Sequence, residues 1–364
     1  MLIVDSHLDL SWNALQFERD LLKSVYTIRA LEAGMSGKSR GLNTVALPEL
    51  RRGRVAVCFA TLLARSTGRP SQGIDYQTAA QAHAVARGQL AYYRALQAEG
   101  HVRILENTAQ LDAHMAEWQA WDGAPHAEGD DRTPPLGFVI SMEGADPIAS
   151  PAQIEEWHAL GLRLLGPTHY GPGRYAGGTS TELGLTELGA PLLKEMRRAG
   201  VALDLTHFSD QSFWEALKLY DGPVHASHQN CRALVPAQRQ FSDEQLRAII
   251  ERDGVIGAAL DVWMLRPGWQ SPAMNNLALA DPVLLDAAVD HIDHVCQLAG
   301  DVRHAAIGTD LDGGFGREQS PRDLDTIADL QKLPAMLARR GYSQDDVAAI
   351  LHGNWLRFLH LVLR

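Results

Sequence analysis

Residues 2–9 read LIVDSHLD, an apolar run, Leu2–Ser6, that ends on His7 and Asp9. Side chains two residues apart share one face of a strand, so a histidine and a carboxylate leave the end of this run together. Seven further apolar runs follow along the chain. They are Val55–Leu63, Leu136–Met142, Leu162–Thr168, Val201–Thr206, Pro223–Ser227, Val255–Leu260 and Ala305–Thr309. Most are rich in Val, Ile and Leu with little polar alternation, which suits parallel strands buried on both faces. Pro223–Ser227 is the weakest and is admitted by its spacing.

Helical stretches separate the runs. Tyr76–Glu99 is long and Ala-rich, and Ser150–Gly161 opens on Ser-Pro and closes on glycine. Leu185–Gly200 carries basic residues in its last turn and ends on Gly200, as the helix dipole and the C-terminal glycine preference favour. Ser242–Gly254, Pro282–Gly300, Asp323–Gly341 and Ser343–Leu363 complete the set. Eight such strand–helix units predict a (β/α)8 TIM-type barrel rather than an open sheet, as one domain over residues 1–364. Asp122–Pro135 and Gly171–Gly184 read as loops, and there is no internal repeat or low-complexity segment.

In such a barrel the active site lies at the C-terminal ends of the strands, and there the polar residues collect. Glu143 ends the third run (ISMEG), His169 the fourth (GPTHY), His207 the fifth (LDLTH), His228 the sixth (ASHQN) and Asp310 the eighth (IGTDLDG). Imidazole nitrogens from His7, His207 and His228 and the Asp9 carboxylate are suitable zinc ligands. Glu143, with two oxygens, could bridge two ions about 3.5 Å apart, and such a pair lowers the pKa of a shared water. Singly, each residue has a plainer reading as a helix cap or a hydrogen-bonded strand-end histidine. What joins them is that one fold puts all of them on one rim. His291 and His294, i and i+3 on an expected helix, read as a solvated face. His225 has the opposite strand parity to His228. Cys231 reads as a buried thiol, and the glycines between Gly166 and Gly173 form no phosphate loop.

Composition excludes several classes. The chain has 364 residues, 46% apolar and 21% charged, normal for a globular protein with a large core. A net charge of −11 with no basic cluster argues against nucleic acid as a partner. Cys58, Cys231 and Cys296 are far apart, which fits a reducing compartment and no thiolate metal site. The N-terminus lacks a signal-peptide pattern, and NWLRFLHLVLR at the C-terminus is too short for a membrane span. The expectation is a soluble cytoplasmic protein without a membrane anchor; the sequence leaves a homodimer open.

In order along nearly the whole chain, DSHLD, SMEGAD, LGPTHY, LDLTH, SHQN with RAL after it, GTDLDG and GNWLRFL resemble the membrane (renal) dipeptidase family of zinc metallopeptidases. The resemblance implies a (β/α)8 barrel with two Zn2+ per chain. It matches His7 and Asp9 to one ion, His207 and His228 to the other, and Glu143 to the bridge. It matches His169 to a histidine at the scissile group, Arg239 to the receptor of the substrate carboxylate, and Asp310 to the residue for proton transfer. The activity implied is hydrolysis of dipeptides, including ones with a C-terminal D-residue, by a metal-bridging hydroxide. Two departures bear on specificity: Leu8 stands where the family has asparagine between the first histidine and aspartate, and Gln240 stands where asparagine often follows the arginine. One rival reading is a binuclear amidohydrolase-type barrel acting on cyclic amides or lactones, against which HxD and Glu143 speak. The other is a non-catalytic metal-dependent binding protein, against which Asp310 speaks.

Overall fold

The computed structural model describes residues 1–69, 71, 73–125, 133–270 and 282–364. Among the described residues nine parallel strands form one sheet: β1 (Ile3–Leu8), β2 (Val55–Leu63), β3 (Val102–Ile104), β4 (Leu136–Glu143), β5 (Leu162–Gly166), β6 (Ala202–Asp204), β7 (Val224–His225), β8 (Ile256–Ala258) and β9 (Ala305–Ile307). Eight run in the order β7-β6-β5-β4-β2-β1-β9-β8. The parallel bridge between Ala226 and Ile256 joins the two ends of that path and closes the ring. All eight fall on the runs expected from the sequence: β2 matches its run end to end, β4 runs one residue longer, and the other six are shortened or shifted by a few residues.

β3 is the strand the sequence did not announce. Its three residues pair only with the foot of β4, Val102 opposite Leu136 and Ile104 opposite Phe138, while the upper part of β4 pairs with β5. It fills the angle where β4 and β5 diverge.

The outer helices start and stop where local chemistry directs. Thr78 and Gln81 form a capping box before Ala79–Ala98, and Ser242 and Gln245 do the same before Asp243–Glu251. Gly189–Ala199 stops at Gly200, whose φ of 78° is left-handed. The helix Thr108–Asp122 also lay beyond the sequence reading, and of the loop expected at Asp122–Pro135, residues 126–132 lie outside the described residues.

One expectation is corrected. His291 does not belong to a solvated face: the helix Asp286–Ala299 buries it, and its Nδ1 accepts from the Cys231 backbone N–H at 3.1 Å. His294, one turn on, is partly exposed and pairs with Asp243 at 2.8 Å. The difference arises because the helix turns its His291 side towards the loop after β7, which presents an unpaired N–H there.

The barrel is closed at its foot by the last helix, Asn354–Val362. Trp355 packs edge-on against Phe59 of β2 and against His225 of β7, strands on opposite sides of the ring, so it lies on the barrel axis. Its indole N–H donates to Ile307 O at 2.9 Å, and the neighbouring Asn354 side chain donates to Val302 O and Ala305 O at the start of β9. His225 is thus part of the floor, away from His228. Trp355→Ala removes a fully buried ring and a hydrogen bond and is expected to cost about 3–5 kcal/mol. Chemical denaturation measures it; an unchanged midpoint would show that the floor is held by the rest of the helix.

Candidate metal centre

The mouth of the barrel is built by a regular hand-over from strand to loop. His7 lies within β1 with Asp9 just past its end, and Glu143 is the last residue of β4. His169, His207, His228, Asp261 and Asp310 each stand three residues beyond the last residue of β5, β6, β7, β8 and β9 in turn.

Glu143 is where these side chains meet. Its Oε1 lies 3.0 Å from His207 Nε2, 3.3 Å from His228 Nε2 and 3.7 Å from His169 Nε2. Its Oε2 lies 3.6 Å from His7 Nε2, which is also 3.7 Å from Asp9 and 3.9 Å from Asp310. Three overlapping donor sets result, each within 4.8 Å: His7, Glu143 and His228; Glu143, His169 and His207; His7, Asp9 and Asp310. The seven histidine and carboxylate residues predicted for the site are therefore brought to one place.

Outer contacts fix which nitrogen faces inward. Ser227 Oγ lies 2.9 Å from His228 Nδ1, and Thr179 Oγ1 lies 2.9 Å from His207 Nδ1. A hydroxyl can accept an Nδ1–H, which leaves the Nε2 lone pair directed at the centre. His169 is held differently: Arg65 Nη1 is 3.0 Å from its Nδ1. Arginine only donates, so Nδ1 accepts and the ring carries its proton on Nε2.

Electrostatics favour the same assignment. Burial brings His169 down to about 4 and His228 to about 3, and pushes His207 well below the usual range, so these rings are neutral at pH 7. Burial raises Asp310 and Asp9. Burial would raise Glu143 as well, but the four imidazoles that surround it hold it well below the usual carboxylate range. Burial would lower His7, but Glu143 and Asp9 raise it well above the usual imidazole range, so three carboxylates share the buried site with one cationic ring. His7 Nε2 and Asp9 Oδ1 are buried with no hydrogen-bond partner among the described residues. Neutral imidazoles and carboxylates with unsatisfied lone pairs turned inward fit a divalent transition metal.

The loop after β7 folds Arg239 into the wall of the same cavity. It is 4% exposed, donates from Nη1 to Gln229 Oε1 at 2.7 Å and from Nη2 to His228 O at 2.9 Å, and its Nε has no partner among the described residues. Leu8 and Gln240 are buried outside the cavity lining, Gln240 donating to Met264 O at 2.7 Å. Arg65, Thr179, Ser227, Tyr170 and Asp261 were not singled out from sequence. Strand-end position marks Arg65 and Asp261, which follow β2 and β8; Thr179 comes from the Gly-rich loop and carries no such mark.

Donors of this kind, gathered where a barrel does its chemistry, put the protein in the class of barrel metalloenzymes. Comparison with known proteins narrows the class: residues 1–363 match the membrane dipeptidase family (peptidase family M19), and the chain belongs to that family of metallopeptidases, which hydrolyse peptide bonds. It is 30% identical over 233 residues to an uncharacterized protein in the pqqA 5' region of Klebsiella pneumoniae, covering 62% of this chain and 81% of that one. It is 30% identical over 229 residues to the dipeptidase aclJ of Aspergillus oryzae, covering 62% of this chain and 51% of that one; the match thus spans about half the length of this fungal relative. The crystal structure of a dipeptidase of family M19 superposes with a TM-score of 0.75 at 25% identity, over 100% of this chain and 99% of that one. A Rhodobacter sphaeroides metallopeptidase, liganded with a phosphinate mimic of the dipeptide L-Ala-D-Ala, shares the fold with a TM-score of 0.75 at 23% identity, over 100% and 99% of the two chains. Among the described residues no helix is long and apolar enough to cross a membrane.

Ser227→Ala and Thr179→Val remove the partners of His228 and His207 without touching the inward nitrogens. Each is expected to weaken divalent-metal binding about 10- to 100-fold, read by titration against a chelator. Unaltered affinity in both would mean that the strands alone orient the rings.

Proposed function

We propose that the protein is a dipeptidase carrying two zinc ions, held by His7 and Asp9 on one side, His207 and His228 on the other, and Glu143 between them. When bound, such ions supply Lewis-acid polarisation of a carbonyl and a water acidified towards neutrality. The chain's own groups account for the rest. His169, neutral with its proton on Nε2, donates towards the oxygen that gains charge as the peptide carbonyl is attacked. Asp310, raised by burial, can hold a proton at its carboxylate and deliver it to the leaving amine. Arg239 takes the substrate's C-terminal carboxylate on the donors its protein contacts leave free.

The observation that carries this reading is Arg239 itself. A guanidinium buried in the wall of a cavity shared with Glu143, His169 and Asp310, with its Nε–H uncommitted, is suited to an anion one residue away from the reacting bond. The dipeptides included are those with a C-terminal D-residue, the kind whose mimic the Rhodobacter sphaeroides protein holds. A carboxylated-lysine centre is disfavoured because no lysine lines this cavity among the described residues. We propose a cytoplasmic location on the cysteine usage alone: Cys58, Cys231 and Cys296 are all free thiols.

Elemental analysis of dialysed, active protein is expected to give about two zinc ions per chain. Glu143→Gln, which halves the anionic capacity between them, is expected to lose at least one ion and nearly all activity. Full zinc and turnover in that variant would make Glu143 a structural carboxylate.

Arg239→Ala is expected to keep the metal content while kcat/KM for dipeptides falls on the order of 10²-fold. The parent protein is expected to cleave dipeptide amides poorly. Equal cleavage of a dipeptide and its C-terminal amide would show that no free carboxylate is sensed, and the dipeptidase reading would fail.

A further inference from the structure

Asp261 takes part in neither the metal centre nor the chemistry assigned to it, yet it occupies the same place in the fold as the residues that do. It stands three residues past the end of β8, as His169, His207, His228 and Asp310 stand past β5, β6, β7 and β9. Its strand faces that of Glu143 across the eight-membered ring and lies between the strand that leads to Arg239 and the strand that leads to Asp310. The side chain lines the substrate cavity beside Arg239, Tyr170 and Met264 and is only 6% exposed.

A carboxylate so deeply placed normally has a cationic partner. Asp261 has none within ion-pair distance among the described residues. Gln319 Nε2 donates to both of its oxygens at 2.9 Å each. Burial raises its pKa to about 6 against the opposing pull of Gln319, Lys38 and Trp263, so it is largely ionised at neutral pH. Gln319 fixes the carboxylate in orientation and does not neutralise it.

From these placements we infer that Asp261 is a specificity residue that selects a cationic side chain, of the lysine or arginine type, on the C-terminal residue of the dipeptide. The inference rests on the dipeptidase reading above. With the substrate carboxylate on Arg239 and the scissile carbonyl at Glu143, the C-terminal residue lies beside β7 and β8. Its side chain then runs past Met264 and Tyr170, which suit an aliphatic stem, and its charged head reaches Asp261. The amino-terminal residue lies on the other side, towards Asp9, Trp12 and Leu63. A negative side chain on the C-terminal residue would meet Asp261 as a like charge.

The test compares Ala-Lys, Ala-norleucine and Ala-Glu, with the C-terminal residue in each hand, on the parent protein and on Asp261→Asn and Asp261→Glu. The parent is expected to favour Ala-Lys over Ala-norleucine by about 10-fold or more in kcat/KM, as a charge-assisted contact in a closed site would give, and to handle Ala-Glu worst. Asp261→Asn is expected to bring the three substrates to within a few-fold of one another. Asp261→Glu is expected to restore part of the preference. A parent ratio near one, or a ratio that survives in Asp261→Asn, overturns the inference. An equal loss on all three substrates also overturns it, by placing Asp261 at a group every dipeptide carries. If no dipeptide is cleaved, the dipeptidase reading fails first. Calorimetric binding of free lysine against norleucine then still decides the inference: equal binding overturns it, and a preference for lysine that is lost in Asp261→Asn supports it.

Discussion

A carboxylate at the mouth of a barrel, 7% exposed and faced by four imidazoles between 3.0 and 3.7 Å away, is the constraint around which this structure is arranged. Taking a carboxylate out of water costs several kcal/mol unless charge and hydrogen bonds replace the solvent. Glu143 meets that cost with side chains from β1, β5, β6 and β7, half the circumference of the ring. A ring that opened would separate these partners and leave the carboxylate buried alone. Closure between β7 and β8, through a single bridge at Ala226, therefore matters to the site as much as to the fold.

The cluster accepts backbone strain to bring its groups together. His207 and Asp310 adopt left-handed φ values of 68° and 58°, and Asp312, two residues on, has 61°. Such conformations cost on the order of 1 kcal/mol or more each for residues with a Cβ. They turn the chain sharply just past β6 and β9, so that the side chain three residues beyond the strand points back over the mouth. Gly313 completes the second turn, since a Cβ there would stand 1.9 Å from Asp310 Oδ1. Of the eight non-glycine residues with left-handed φ among the described residues, His207 and Asp310 are the two that belong to the groups nearest the proposed chemistry.

The barrel and most of its rim were legible in the sequence because both rest on periodicities that tertiary structure seldom overrides. Apolar runs of five to nine residues separated by helical stretches leave few other folds, and polar residues that end such runs can only face the mouth. What was not legible depends on contacts between distant segments. β3 is three residues long and owes its form to the foot of β4. The i and i+3 pattern of His291 and His294 points to solvent because it cannot reveal the N–H of Cys231 that His291 accepts. Thr179 reaches His207 from a loop held by isolated bridges, one of them between Gly178 and Phe208. Arg65 and Asp261 are of another kind. The rule that polar residues past the strand ends face the mouth covers them too, since they follow the second and seventh runs, but an arginine and a lone aspartate carry no ligand signature. The rule concerns position, and position assigns a residue to the cavity whatever its chemistry.

Strand length adds a last consideration. β2 and β4 have nine and eight residues, whereas β6 to β9 have two or three, too few ladder bonds to fix a metal site on their own. A layer of buried aspartates below the mouth takes over that work. Asp5 accepts from Thr309 N at 2.9 Å, Thr309 Oγ1 at 2.6 Å and His7 N at 3.2 Å, tying β1 to the end of β9. Asp204 accepts from Thr206 N at 3.0 Å and Ser227 N at 3.1 Å, tying β6 to β7. Asp312 accepts from Thr44 N at 2.7 Å, Thr44 Oγ1 at 2.8 Å and Val45 N at 3.0 Å, tying the last turn to the segment before β2. Each lies within three residues of His7, His207 or Asp310. A carboxylate accepts several N–H groups at once and from directions a strand cannot offer. The short strands can therefore end early and release their chains into turns while the ligands stay in place. The arrangement also separates two uses of the same residue type. Aspartates satisfied by backbone N–H groups hold the frame, and Asp9 and Asp310, left without such partners among the described residues, face the cavity.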